Sequence, residues 1–150
     1  AFVLCGNGIT PENADLARWS QEAGLLEGLY LLGPRTDMPR WMAALDVYVS
    51  SSASESFPNV IGEALSCGVP VAATDAGDSA QMVCEAGRIV PPRDPQALAR
   101  AVLELLALSP DQRVLLGQKG RERMRSLYNL PSVVVRYQDL YTSVVQESGK

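Results

Sequence analysis

Histidine is absent from all 150 residues. That excludes a Ser-His-Asp or Cys-His arrangement built from this chain and removes the commonest zinc ligand. Cysteine is scarce: Cys5, Cys67 and Cys84 are odd in number and form no C-x-x-C pair. Each has apolar neighbours, so they read as buried, reduced thiols of a protein in a reducing, cytoplasmic compartment. Positive charge is in the minority, 13 Lys and Arg against 17 Asp and Glu, and a net charge of −4 argues against general nucleic-acid binding. No apolar run reaches the length of a membrane-crossing helix, and no basic segment precedes the first apolar residues as in a signal peptide.

What is present is a globular composition, 47% apolar and 20% charged, in a length that suits one domain with a real core. The chain opens abruptly in the strand-like "AFVLCG", which reads as a piece of something longer. Short runs apolar on both faces, Phe2–Cys5, Leu29–Leu32, Val47–Ser50, Val69–Ala73 and Arg88–Val90, predict parallel strands covered by helices. Between and after them lie helix signals. Thr10-Pro11 marks a helix to about Ala23, and Asp94-Pro95 opens another with Leu98, Val102 and Leu105 at helical spacing. Ser109-Pro110-Asp111-Gln112 reads as a capping box, and the segment after Pro131 carries a wide apolar stripe that should dock on something. The expected fold is α/β, a doubly wound parallel sheet with helices on both faces over 1–108 and a helical C-terminal tail over 109–150.

In such sheets ligands bind at the carboxyl ends of strands. Four loops fall there: Gly6–Thr10, Gly33–Asp37, Ser50–Asn59 and Thr74–Ser79. The first contains Gly6-Asn7-Gly8, but Pro11 stands where a dinucleotide fingerprint needs its third glycine. It reads as a tight turn. The third is more informative. Pro58 and Asn59 open a helix to about Cys67, with Gly68 as its stop, and the amides of Asn59, Val60 and Ile61 at its start suit an anion. Glu63 lies one turn in and leans back toward the same end, while Glu55 precedes the helix. Two readings stand at this point. A glutamate near a helix start is favourable on dipole grounds alone, and a loop glutamate is commonly solvated. Alternatively, two acceptor-only carboxylates beside an anion site hold a ligand with both phosphate and hydroxyls, such as a nucleotide sugar. Elsewhere Asp75 and Asp78 read as turn residues rather than metal ligands, Trp19 and Trp41 as core, and the run Lys119, Arg121, Arg123 and Arg125 as a solvated face.

The segment "SESFPNVIGEALSCGVPVAATDAGDSAQMV" resembles the signature of retaining GT-B glycosyltransferases of group 1, with two glutamates separated by seven residues. The likeness extends upstream through "LLGPRTDMPRWMAALDVYVSSSASES" and downstream through "GRIVPPRDPQALARAVLELL". It implies one half of a GT-B fold, the C-terminal donor-binding domain lacking its first strand, with the acceptor-binding N-terminal domain as its missing partner. It further implies that Glu55 contacts the transferred sugar near the reacting carbon and that Glu63 hydrogen-bonds the nucleotide ribose. By the same likeness, Phe57, Pro58, Asn59 and Val60 occupy the loop and helix start whose backbone amides hold sugar hydroxyls and phosphate, and Gly33 and Arg35 pack around the base. The donor would be a UDP-, GDP- or ADP-linked sugar, with no cofactor and no essential metal. Ser56 stands where the family commonly has glycine, and the family's diphosphate-binding Arg and Lys have no match here. The chain alone is therefore expected to be inactive. The protein is expected to work in the cytoplasm or at the inner membrane face.

A retaining glycosidase needs carboxylates on opposite sides of the scissile bond, whereas these two are expected on one side. The competing reading is a non-enzymatic nucleotide- or partner-binding module on the same scaffold.

Overall fold

Val71–Thr74 is buried at every position, which is how a central parallel strand reads when both of its faces are covered. In the computed structural model, which describes residues 1–25 and 27–148, this strand (β4) lies between β3 (Tyr48–Ser50) and β5 (Gly87–Val90). Both pairings are parallel, with Tyr48 opposite Val71 and Val71 opposite Gly87. Two other strands, β1 (Phe2–Leu4) and β2 (Leu29–Leu31), make a second parallel pair with Phe2 opposite Leu29. The five expected strands are all present.

The chain divides into two compact units, Ala1–Met38 and Pro39–Lys150. The first holds β1, the helix α1 (Ala14–Glu22) and β2. Helix α2 (Met38–Ala43) begins at its last residue. The second unit holds β3, α3 (Asn59–Ser66), β4, α4 (Ser79–Val83), β5, α5 (Pro95–Ala107), α6 (Pro110–Leu127) and α7 (Leu130–Ser148). The last two residues of the expected helical tail lie outside the described residues.

All the fully buried apolar side chains among the described residues belong to the second unit. Ile61 and Leu65 from α3, Met82 and Val83 from α4, and Leu105 from α5 close over the β3–β4–β5 sheet. Each fully buried side chain of this size contributes about 1.5–3 kcal/mol by removal from water. Helix α6 adds little apolar surface of its own and instead approaches closely through glycine, Gly117 against Gly68 and Gly120 against Leu65 and Ala86.

The helix ends follow local chemistry. Asp94 caps α5 by accepting from the Ala97 amide at 2.8 Å, with Pro95 in the first turn. Ser109 and Gln112 complete the expected capping box of α6, at 3.2 and 2.9 Å. Helix α1 corrects the expectation: it starts at Ala14, not after Thr10. Asn13 displaces Thr10 as cap because its carboxamide acts twice, accepting from the Asp15 and Leu16 amides and donating to Gly8 O at 2.8 Å.

Two burial expectations are also corrected. Trp19 is 54% exposed, on the outer side of α1 beside the Arg18 guanidinium. Cys84 is exposed at the sharp turn that ends α4, and Cys5 and Cys67 are half-buried. The apolar stripe of α7 faces outward within the described residues, with Val134, Tyr137, Leu140, Tyr141 and Val145 all at least 43% exposed.

Candidate functional site

Strand β3 ends at Ser50, and the chain then makes a polar loop, Ser51 to Phe57, before α3 begins at Asn59. Pro58 is buried at the cap position and offers no side-chain hydrogen bond. The amides of Asn59 and Val60 precede the first intrahelical acceptor, as helix geometry requires. Ile61, expected to be a third open donor, instead donates to Pro58 O at 3.0 Å, which tightens the first turn. At the far end, Gly68 sits at φ 78° and its amide donates to Leu65 O, while Val69 donates to Ala64 O. This Schellman stop fixes the length of α3 and so the direction in which its start points.

Glu55 and Glu63 are both exposed, one in the loop and one on α3. Tyr48, on β3, is influenced by both charges. Burial pushes its phenol above the ordinary tyrosine value, and the negative charges of Glu63 and Glu55 push it the same way. Two carboxylates eight positions apart in sequence thus act on one hydroxyl, that of the first residue of β3. In the folded state the neutral phenol is favoured, so the stability tied to it is complete below pH ~10 and is lost as pH rises through the elevated value. Tyr48→Phe is therefore expected to remove a late step from the alkaline absorbance titration and to flatten the loss of stability above pH ~10. Loss of a step at the ordinary tyrosine value instead of a late one would remove the influence of burial and the two acids on Tyr48.

The loop is held from the β4 side. The buried Thr74 hydroxyl donates to Ser52 O at 2.6 Å, and Ser52 Oγ donates to Glu55 Oε1 at 2.8 Å. Beyond β4, Asp78 N donates to Ser56 O at 3.1 Å. Gly77, at φ 56°, passes so close that a Cβ there would lie 2.3 Å from Ser56 O and 2.6 Å from Glu55 O. Only glycine fits that crossing. Phe57 leaves the loop toward the end of α6, its ring 6.0 Å from that of Tyr128 and 45% exposed.

The remaining expected residues, Gly33 and Arg35, belong to the other unit. Gly33 is buried at φ 63°, donates to Ile9 O at 2.8 Å and accepts from Gly6 N at 3.0 Å, so it ties the loops after β1 and β2 together. Arg35 is exposed and forms a two-pronged pair with Asp37, both contacts 2.8 Å, which raises its pKa further. Asp37 stands immediately before α2.

Tyr48, Ser52, Thr74 and Gly77 were not singled out by sequence as ligand-site residues. Thr74 and Gly77 do fall in the fourth of the strand-end loops, which was the available signal. A groove of about 390 Å³ where α6 meets α7, lined by Leu127, Pro131 and Val135 among others, includes none of these residues. Among the described residues no cluster of three or more Cys, Asp or Glu is placed to hold a metal ion, and no helix is long and apolar enough to cross a membrane.

Parallel strands flanked by helices, with carboxylates and a helix start gathered at a strand's carboxyl end, define a Rossmann-like α/β domain of the kind found in GT-B glycosyltransferases. Residues 1–108 match the family model described as Glycosyl transferases group 1, and the chain belongs to that family. It is 36% identical over 106 residues to the lipopolysaccharide core biosynthesis mannosyltransferase LpsB of Rhizobium meliloti, covering 66% of this chain and 30% of that protein. Sucrose-phosphate synthase from Thermosynechococcus elongatus superposes with a TM-score of 0.82 at 30% identity, over 97% of this chain and 38% of the other. Anabaena Alr3699/HepE, solved in complex with UDP-glucose, gives 0.75 at 26% identity over 96% and 40%. The chain therefore spans less than half the length of each of these proteins.

Proposed function

We propose that this chain is the donor-binding half of a glycosyltransferase that moves a sugar from a nucleotide-sugar donor to a sugar or lipid-linked acceptor with retention of configuration. The observation that carries the reading is the placement of Glu55 in the loop after β3 and of Glu63 on the helix that follows it. The Asn59 and Val60 amides stand at the start of the helix that bears Glu63. That is one anion-binding helix end with a hydroxyl acceptor on each side of it. The likeness to a protein solved with UDP-glucose supports a ligand of that class.

In this reading Glu63 accepts from the ribose hydroxyls, the helix start receives a donor phosphate, and Glu55 faces the transferred sugar. The leaving diphosphate takes the acceptor's proton as the new bond forms on the face it vacates, which accounts for retention without an enzyme nucleophile. Glu55 supports the sugar electrostatically. The acceptor side and the basic residues for the diphosphate are contributed by the rest of the protein, so the chain alone is read as inactive.

The test is a thermal-shift screen of UDP-, GDP- and ADP-sugars on the full-length protein, followed by NMR assignment of the anomeric configuration of the product. Stabilisation by one donor and a product of unchanged configuration are expected. An inverted product, or no donor response, overturns the reading. Glu63→Ala is expected to weaken that donor about tenfold to a hundredfold through loss of charged hydrogen bonds, measured by calorimetry. Unchanged affinity removes Glu63 from the ribose side.

A further inference from the structure

The Glu55 loop owes its shape to the strand that follows it, not to its own sequence. Three attachments converge there. Thr74, 3% exposed at the end of β4, places its hydroxyl 2.6 Å from Ser52 O. Asp78 N reaches Ser56 O, and Gly77 lies flat against the carbonyls of Glu55 and Ser56. With its backbone held on both sides, Ser52 donates its own hydroxyl to Glu55 Oε1 at 2.8 Å.

We propose that Ser52 and Thr74 are positioning residues that fix the Glu55 carboxylate toward the transferred sugar, an inference that rests on the functional reading above. A serine–glutamate contact on a free loop would have little consequence, because a glutamate has three torsions and water competes for its oxygens. Here the serine is itself anchored to a strand buried at every position, so the donor hydroxyl has a fixed origin. The hydrogen bond accepted at Oε1 holds the rotamer. Oε2 is left for a sugar hydroxyl. The chain Thr74, Ser52, Glu55 thus transmits the rigidity of the sheet to one carboxylate oxygen.

The test is steady-state kinetics of the full-length protein with its nucleotide-sugar donor, comparing Ser52→Ala, Ser52→Thr, Thr74→Val and Thr74→Ser with wild type. Ser52→Ala is expected to lower kcat about tenfold to a hundredfold, with donor KM within about twofold and Tm unchanged. Ser52→Thr restores the rate, since it retains the hydroxyl. Thr74→Val is expected to reproduce the kcat loss and Thr74→Ser to spare it. Should Thr74→Val fail to fold, the Ser52 pair decides. An unaltered kcat in Ser52→Ala, or a loss that appears in KM and Tm and is not relieved by Ser52→Thr, overturns the inference while leaving the functional reading intact. Absence of transfer by the wild type from any UDP-, GDP- or ADP-sugar overturns both.

Discussion

Glu55→Gln in the full-length protein is expected to lower kcat about 10²–10³-fold while donor affinity stays within about tenfold. The substitution preserves the size of the side chain and one acceptor oxygen, so Ser52 Oγ can still donate to it. What it removes is the negative charge. As the bond from sugar to diphosphate breaks, positive charge develops at the reacting carbon, and an anion fixed nearby stabilises that state more than the ground state. Loss of the charge therefore appears in kcat rather than in binding. Glu63→Ala is the natural contrast, since a ribose contact made equally in ground and transition states appears in donor affinity. The two acids are separated by the same pair of measurements, initial rates and calorimetric titration. A Glu55→Gln enzyme with kcat within threefold of wild type removes Glu55 from the reacting carbon, and a loss confined to affinity assigns it to binding alone.

The placement of the two glutamates around one helix start was legible because local rules govern it. The apolar run before the loop, the Pro58-Asn59 helix start and the Gly68 stop are each short-range signals, and they put both acids at one strand end. The two capped helices α5 and α6 were legible for the same reason. What sequence did not reveal lies across the chain. Thr74 and Ser52 are 22 residues apart, and nothing in either neighbourhood marks the hydroxyl bridge between them. Gly77 lies between the turn residues Asp75 and Asp78, and nothing local marks the carbonyls of Glu55 and Ser56 against it. Trp19 shows the converse error: helical spacing identified its helix and its apolar neighbours, but not which side of α1 the indole would take.

The largest stability effect is expected at Gly117→Ala, a position where intrinsic preference and packing predict opposite signs. Glycine inside a helix is worse than alanine by about 0.5–1 kcal/mol, so propensity alone makes the change stabilising. Gly117, however, is buried on α6 with its Cα against the stop of α3, and a Cβ built there lies 1.8 Å from Gly68 O and 2.6 Å from Gly68 C. Those are backbone atoms of the turn that ends α3, so they have no rotamer by which to yield. Either α6 slides or the Schellman stop opens, and a net loss of about 2–4 kcal/mol is expected, a large share of an ordinary domain's stability. The urea midpoint measures it, and Gln118→Ala, exposed on the next position of the same helix, should stay within about 0.5 kcal/mol of wild type. One turn along, Gly120→Ala meets the Leu65 Cδ2 methyl at 2.7 Å, a side-chain tip that can turn aside, as well as the Ala86 Cβ at 3.0 Å. It should therefore cost less than Gly117→Ala. A stabilised Gly117→Ala protein would mean that α6 and the α3 stop do not touch. The helix that orients Glu63 would then owe its direction to something other than that contact.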